Sequence, residues 1–251
     1  MGNQILQDTT LTAIVRDEED NPAQGVETWL RATLPYVERA VVVDTGSIDR
    51  TREIVEGLKR EYSHLEVFYR AFDDFVSSRN FSLGKVRTKR ALILDADELL
   101  LPEEYGRLNQ LISQSSAKVF CFNFKEIYPD GTILDTMWNL QIARLFEVYG
   151  ASFVNSMGRR GFYESLNLTG QRHGEDLVVP AQVAVIKHFL SSLEAQQAKR
   201  ALWYGREQFR TESPLTHARA HGWKARNGGR NFYFNSEARL KEYFPRLVET
   251  G

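Results

Sequence analysis

The stretch Ala91-Leu92-Ile93-Leu94-Asp95-Ala96-Asp97-Glu98 constrains the fold most tightly. Four apolar residues run into three carboxylates within four positions. A short apolar run bounded by charge reads as a strand buried on both faces, as in a parallel sheet covered by helices on each side. The carboxylates then fall at the carboxyl end of the strand, where open α/β sheets bind their ligands. Clustered carboxylates repel one another, so they call for a cation, and hard oxygen donors suit Mg²⁺ or Mn²⁺. The alternative is that these acids only cap the next helix, since Pro102 and Glu103 follow closely.

The segments before this run repeat its grammar. Thr10 to Val15 reads as a first strand, followed by the acidic turn Arg16-Asp17-Glu18-Glu19-Asp20. Asn21 and Pro22 mark a helix start, with Val26, Trp29, Leu30 and Leu34 on one face and Pro35 at its end. Ala40 to Asp44 is a second buried strand. Gly46 then permits a tight turn and close ligand approach, and Ser47 is the predicted cap of a helix with Ile54, Val55, Leu58 and Tyr62 as its apolar stripe. Glu66–Tyr69 is a third strand, and a helix from about Phe72 to Leu83 leads into the acidic strand. Strand and helix alternating in this way predict an α/β fold with a mostly parallel, doubly wound sheet and helices on both faces. There is no G-x-G-x-x-G after the first strand and no G-x-x-x-x-G-K-S/T, which argues against dinucleotide and P-loop folds.

After Glu98 a helix is predicted from about Pro102 to Ile112. Strands follow at 119–125, 141–146 and 183–186, with Asp130-Gly131 as a hairpin signal. Leu193 to Arg210 reads as a helix. The expected division is one domain over 1–190 and a basic helical extension over 191–251 packed on it.

Composition sets outer limits. A chain of 251 residues, 42% hydrophobic, suffices for one large α/β domain. No apolar run approaches the ~20 residues of a membrane span, and no leader is visible at Met1-Gly2-Asn3-Gln4. A single cysteine, Cys121, excludes an internal disulfide, so a cytoplasmic location is expected. The net charge of −1 is uneven: from Lys187 onward 12 Lys and Arg face 6 Asp and Glu, a balance of +6 that leaves −7 for the rest. The basic end allows peripheral membrane contact or simply a solvated helical face. Lys224, Arg226 and Arg230 on a glycine-hinged run read as a lid over a diphosphate. No nucleic-acid module is visible, and no nucleic-acid partner is expected. His217 and His221 have helical spacing without an accompanying carboxylate and read as a surface pair.

Four stretches together resemble the GT-A fold, family 2 glycosyltransferases, in the group that glycosylates peptides or extends lipopolysaccharide cores. They are Ala13 to Glu19, Val43 to Thr51, Asp73 to Asn80 and Leu94 to Glu98, with a fainter match at Arg144-Leu145-Phe146 and Ile186-Lys187-His188. The resemblance implies a metal-dependent, inverting transfer from a nucleotide-diphospho-sugar, a UDP-sugar, to a glycan, lipid-linked or peptide acceptor. It implies nucleotide contacts from Val15, Arg16, Glu18, Asp44, Gly46, Arg79, Asp95 and Ala96, with Asp44 on the base and Arg79 by the diphosphate. It implies Asp97 and His188 as ligands of Mn²⁺ or Mg²⁺. In the family a G-x-I-H-E stretch lies by the acceptor. Here Gly158 to Glu164 carries Tyr163 in place of the histidine, leaving Glu164 as candidate catalytic base and Glu175-Asp176 as the alternative. A nucleotidyltransferase and a non-catalytic nucleotide-sugar or glycan-binding protein remain as rival readings; the acidic 17–20 turn is the wrong charge for the first.

Overall fold

The structure is a computed structural model, and it describes residues 5–127, 133–134, 142–158, 161–169 and 176–190. The elements run β1 (Leu6–Val15), α1 (Gly25–Thr33), β2 (Val37–Asp44), α2 (Thr51–Glu61), β3 (Leu65–Tyr69), α3 (Phe75–Leu83), β4 (Arg90–Ile93) and β5 (Glu98–Leu99). They continue with α4 (Pro102–Gln114), β6 (Val119–Phe122), β7 (Phe124–Ile127), β8 (Ile133–Leu134) and β9 (Ile142–Glu147). The last are β10 (Ala151–Gly158), β11 (Gly161–Leu168), β12 (Asp176–Val178) and β13 (Ile186–Phe189).

Seven strands form the main sheet in the order β12-β6-β9-β4-β1-β2-β3. β4, β1, β2 and β3 are mutually parallel, β12 is parallel to β6, and β9 runs antiparallel between β4 and β6. The α/β expectation holds, with one reversed strand inside the sheet.

Both faces of β4 are buried, as its sequence demands. Leu92 and Leu94 join the core cluster that includes Val26, Trp29 and Leu30 of α1, Val55 and Leu58 of α2 and Leu108 of α4. Ala91 and Ile93 point the other way, into a second cluster with Leu83 of α3, Phe146 of β9 and Phe153 of β10. Successive residues of a strand face opposite sides, so an unbroken apolar run satisfies two cores at once. Each fully buried aliphatic side chain contributes ~1.5–3 kcal/mol.

Several boundaries differ from expectation for local reasons. α1 starts at Gly25, not at Asn21-Pro22, because the Asn21 Oδ1 accepts from the Ala23 and Gly25 amides and holds a turn there (2.9 and 3.0 Å). Gly25 has φ +90, and a Cβ there would sit 2.4 Å from the Glu19 carbonyl oxygen. Ser47 does not cap α2. Asp49 Oδ1 accepts from the Thr51 amide at 2.9 Å, while Ser47 Oγ accepts from the Asp17 amide at 3.0 Å. The expected strand 119–125 divides at Asn123 between the main sheet and a four-stranded sheet, β5-β13-β7-β8. The switch occurs as the Asn123 carbonyl accepts from Ile186, the first residue of β13. The strand expected at 183–186 begins only at Ile186, because Val183 and Ala184 turn back to the Pro180 carbonyl. His188 therefore lies within a strand rather than after one. Asp130-Gly131, the helix expected from Leu193, the His217/His221 pair, the 222–230 run and the whole 191–251 extension lie outside the described residues.

Candidate active site

Two turns at the carboxyl edge of the sheet are laced together. The first follows β1 and the second follows β2, whose last residues pair as Val15↔Asp44. Ile48 donates its amide to Asp17 Oδ1 (2.7 Å), the Glu18 amide donates to Thr51 Oγ1 (2.7 Å), and the Glu19 amide donates to Asp49 Oδ2 (3.0 Å). Arg50 answers with its amide and Nε to the Glu19 carboxylate, at 3.0 and 2.7 Å. The Glu19 carboxyl sits below its ordinary range because of these Arg50 bonds. The Val15 carbonyl accepts from both the amide and hydroxyl of Thr45. Glu18 is buried, and its carbonyl accepts from Val26. Arg16 lies 3.8 Å from Asp17.

Asp44 ends β2 and anchors the second turn. It is 3% exposed. Its Oδ1 accepts from the amides of Gly46 and Ser47 at 2.7 and 2.9 Å, the positive φ of Gly46 (108°) carrying the chain round the carboxylate. Its Oδ2 is buried and has no hydrogen-bond partner among the described residues. A buried carboxylate oxygen left open costs free energy unless a donor reaches it.

Asn21 ties the first turn to the acidic run by donating Nδ2 to the Ala96 carbonyl at 2.9 Å. The run itself is a tight turn, with the Glu98 amide donating to the Asp95 carbonyl (2.9 Å) and the Asp95 amide donating to Glu98 Oε2 (3.1 Å). The indole of Trp29 donates to the Glu98 carbonyl at 2.8 Å, and the Phe189 amide donates to the Asp97 carbonyl at 2.8 Å. The acids of the run are thus a structured turn and not caps of α4, which starts at Pro102.

Charge alternates through the cluster. Arg79, only 3% exposed on α3, pairs with Asp95 Oδ1. Arg144 of β9 pairs with Glu98 Oε1 and reaches Asp95 Oδ2 at 3.4 Å. Burial works against the Asp95 anion, but the two guanidiniums outweigh it and hold the carboxyl well below its ordinary range. Burial dominates at Glu98 and pushes it up to about 7, against the pull of Arg144. Asp97 takes no part in these arginine pairs. It faces His188, with Oδ2 and Nε2 3.8 Å apart. That strand pairing follows from register, since His188 of β13 lies opposite Glu98 of β5.

The turns and the acidic run therefore bring Val15, Arg16, Glu18, Asp44, Gly46, Ala96, Asp95, Asp97, Arg79 and His188 to one edge of the fold. Glu164 lies on β11 opposite Asn155, and its side chain is outside the described residues, as is Glu175. Asp176 does not join the group. It pairs with Val119, which is level through Phe146 with Ala91, so it stands at the amino-end edge of the sheet. Sequence reasoning missed Asn21, Asp17 and Asp49 as fasteners, and Arg144 as the partner of Glu98. The fainter Arg144-Leu145-Phe146 match was the available signal for the last.

The sequence model of glycosyl transferase family 2 matches residues 14–167. The chain belongs to that family. This family 2 chain is also 32% identical over 111 residues to a TPR repeat-containing protein of Synechococcus elongatus. That match covers 44% of this chain and spans only 26% of the relative's length. Among solved structures, residues 1–349 of TarS from S. aureus align with 88% of this chain and 73% of that one, at 12% identity and a TM-score of 0.51. TarS 1–349 in complex with UDP aligns over 87% and 75%, at 14% identity and a TM-score of 0.50. The shared architecture is the GT-A fold. No helix among the described residues is long and apolar enough to cross a membrane.

Proposed function

We propose that the chain transfers a sugar from a nucleotide-diphospho-sugar, a UDP-sugar, to an acceptor hydroxyl with inversion and with help from a divalent metal. Residues 1–190 form the donor-binding and catalytic domain on this reading, with 191–251 as an extension. The observation that carries it is the buried Oδ2 of Asp44 at the carboxyl edge, without a hydrogen-bond partner among the described residues. A fixed carboxylate acceptor suits a ring N–H of uracil, and its first oxygen is already locked by Gly46 and Ser47. The UDP complex of TarS, which shares the fold, supports the choice of uridine.

The donor set also fits a hard divalent ion. Asp97 and His188 face each other with both side chains partly open to solvent. Among the described residues no group of three or more His, Cys, Asp and Glu gathers as a complete metal cage. Asp97 and His188 would hold such an ion, with diphosphate oxygens and water supplying the remaining ligands. When bound, such an ion neutralises charge on the departing diphosphate.

The protein's own residues do the remaining work. Asp44 fixes the base, and the laced turns hold the pocket without needing to reorganise. Arg79 holds Asp95 at the phosphate side. Glu164 takes the acceptor's proton as its oxygen attacks the anomeric carbon and the bond to the diphosphate breaks. The acceptor is a glycan, a lipid-linked sugar or a peptide.

The test is a panel of nucleotide sugars with Mn²⁺, read by release of free nucleoside diphosphate and by binding. UDP-sugars should bind, and Asp44→Asn should abolish the preference for uridine over other bases. Equal binding of all nucleotides by parent and variant would remove the base assignment. Binding without turnover across acceptors would favour the non-catalytic reading, to which Tyr163 in the Gly158–Glu164 stretch points.

A further inference from the structure

We propose that Arg144 is a positioning residue: through Glu98 and Asp95 it holds the turn that presents Asp97 to His188. This rests on the metal-assisted reading above. Nothing in the alternation of β9 requires a cation at this place, since Leu145 and Phe146 already fill the two cores. Yet Arg144 is largely buried and directed at two carboxylates of one turn.

One nitrogen of the guanidinium serves both acids. The Glu98 carboxylate is shared between two duties. One oxygen accepts from the Asp95 amide at 3.1 Å and closes the turn; the other is held by Arg144. The same Nη2 lies 3.4 Å from Asp95 Oδ2, whose other oxygen is held by Arg79. Arg144 thus stands between two acids that would otherwise repel in a water-poor site. Asp97 lies between those two acids in sequence, so its place is set from both sides. The far wall is shared as well. The Arg144 guanidinium carbon sits 5.5 Å from the centre of the Phe124 ring, which meets the His188 ring edge-on at 6.4 Å. One side chain therefore orders both members of the Asp97/His188 pair, and needs no contact with the nucleotide to do so. A lysine keeps the charge but not the planar guanidinium that lies against the Phe124 ring, so it does not order that wall.

The experiment is calorimetric titration of UDP into the full chain, once with Mn²⁺ and once with EDTA. The parent, R144M, R144K and the double variant R144M/E98Q are compared, with thermal unfolding to verify folding. The parent should bind UDP more tightly with Mn²⁺. R144M should lose at least tenfold of that metal-dependent gain while its affinity in EDTA stays within twofold of the parent. R144K keeps the buried charge and carries the test if R144M does not fold; it should lose the gain too. R144M/E98Q should recover part of it, because a neutral glutamine still accepts from the Asp95 amide and no longer repels its carboxylate. An equal loss with and without metal would mean that Arg144 touches the nucleotide or merely supports the fold, and overturns the proposal. So would an intact gain in R144M or R144K, or a double variant no better than R144M. A parent with no metal-dependent gain would overturn the metal reading and this inference with it, whereas a gain in the parent kept by the variants removes this inference alone.

Discussion

Asn80 and Phe153 exchange two hydrogen bonds: Asn80 Nδ2 donates to the Phe153 carbonyl at 2.9 Å, and the Phe153 amide donates to Asn80 Oδ1 at 2.7 Å. A side-chain amide here imitates the edge of a strand. It fastens α3, which carries Arg79, to the β10–β11 hairpin, which carries Glu164. Asn80→Ala should cost ~1–3 kcal/mol, since the Phe153 amide and carbonyl lose their partners in a half-buried place. Urea denaturation measures the loss. A midpoint unchanged from the parent would show that the hairpin does not depend on this clasp.

Glu104 binds the start of α4 to the segment before β13. It accepts from the Leu101 amide at 2.6 Å, the Val185 amide at 3.1 Å and Lys187 Nζ at 2.5 Å. Burial pulls the Lys187 ammonium below its ordinary value, with Glu104 opposing. Glu104→Ala leaves that half-buried cation without its counter-charge, held by the Val185 carbonyl alone among these contacts, and should cost ~3–5 kcal/mol. Glu104→Gln, which keeps two acceptor contacts, should cost less. Chemical denaturation of the two variants side by side checks the order.

Gly25→Ala meets backbone, not a movable side chain. The positive φ alone costs ~1–3 kcal/mol, before the contact of 2.4 Å with the Glu19 carbonyl is counted. Because that carbonyl belongs to the first laced turn, UDP affinity should fall together with thermal stability. A stable variant with parent-like affinity would contradict the rigid-turn account.

Removal of metal gives a fourth expectation. With UDP at about 100 times its Kd, binding stabilises the fold by ~2.7 kcal/mol. EDTA, Asp97→Ala or His188→Ala should each remove most of the Mn²⁺-dependent part of this. Identical thermal shifts in Mn²⁺ and EDTA would count against both residues as ligands.

Cys121 offers a pH test away from the site. Burial pushes its thiol up to about 11 from an ordinary 9.0, helped by Asp176. Between those values the folded chain keeps a proton that the unfolded chain has released, so stability should fall as pH rises through that window. Cys121→Ala should flatten that part of the profile. Alkylation at pH 8.5 should be much slower in the folded chain than in urea.

The sheet was legible because β2 and β4 carry short apolar runs that lead into acids, and two-sided burial leaves that mark directly in sequence. Ala91 to Leu94 serving two cores in alternation is the clearest instance. The carboxylates Asp44 and Asp97 were legible as acids that follow apolar strands, whereas His188 was singled out only through the family resemblance and lies within β13. Three things were not. The positive φ of Gly25 depends on the approach of the Glu19 carbonyl, which no local pattern encodes. The division at Asn123 depends on Ile186, more than sixty residues later. The contact of Arg144 with Glu98 depends on β9 entering the sheet beside β4, a non-local pairing.

That pairing has a consequence for the order in which the chain is made. β4 is complete when Ile93 has been synthesised, but its second edge is covered only when Ile142–Glu147 has followed. Until then the ribosome holds a nascent half-sheet with a bare hydrogen-bonding ladder, a natural target for a stray strand. The same late segment brings the guanidinium that pairs with Glu98, so closure of the edge and the pairing of that acid arrive in one event. A fragment stopping short of Ile142 would carry an open ladder beside a Glu98 that lacks its arginine.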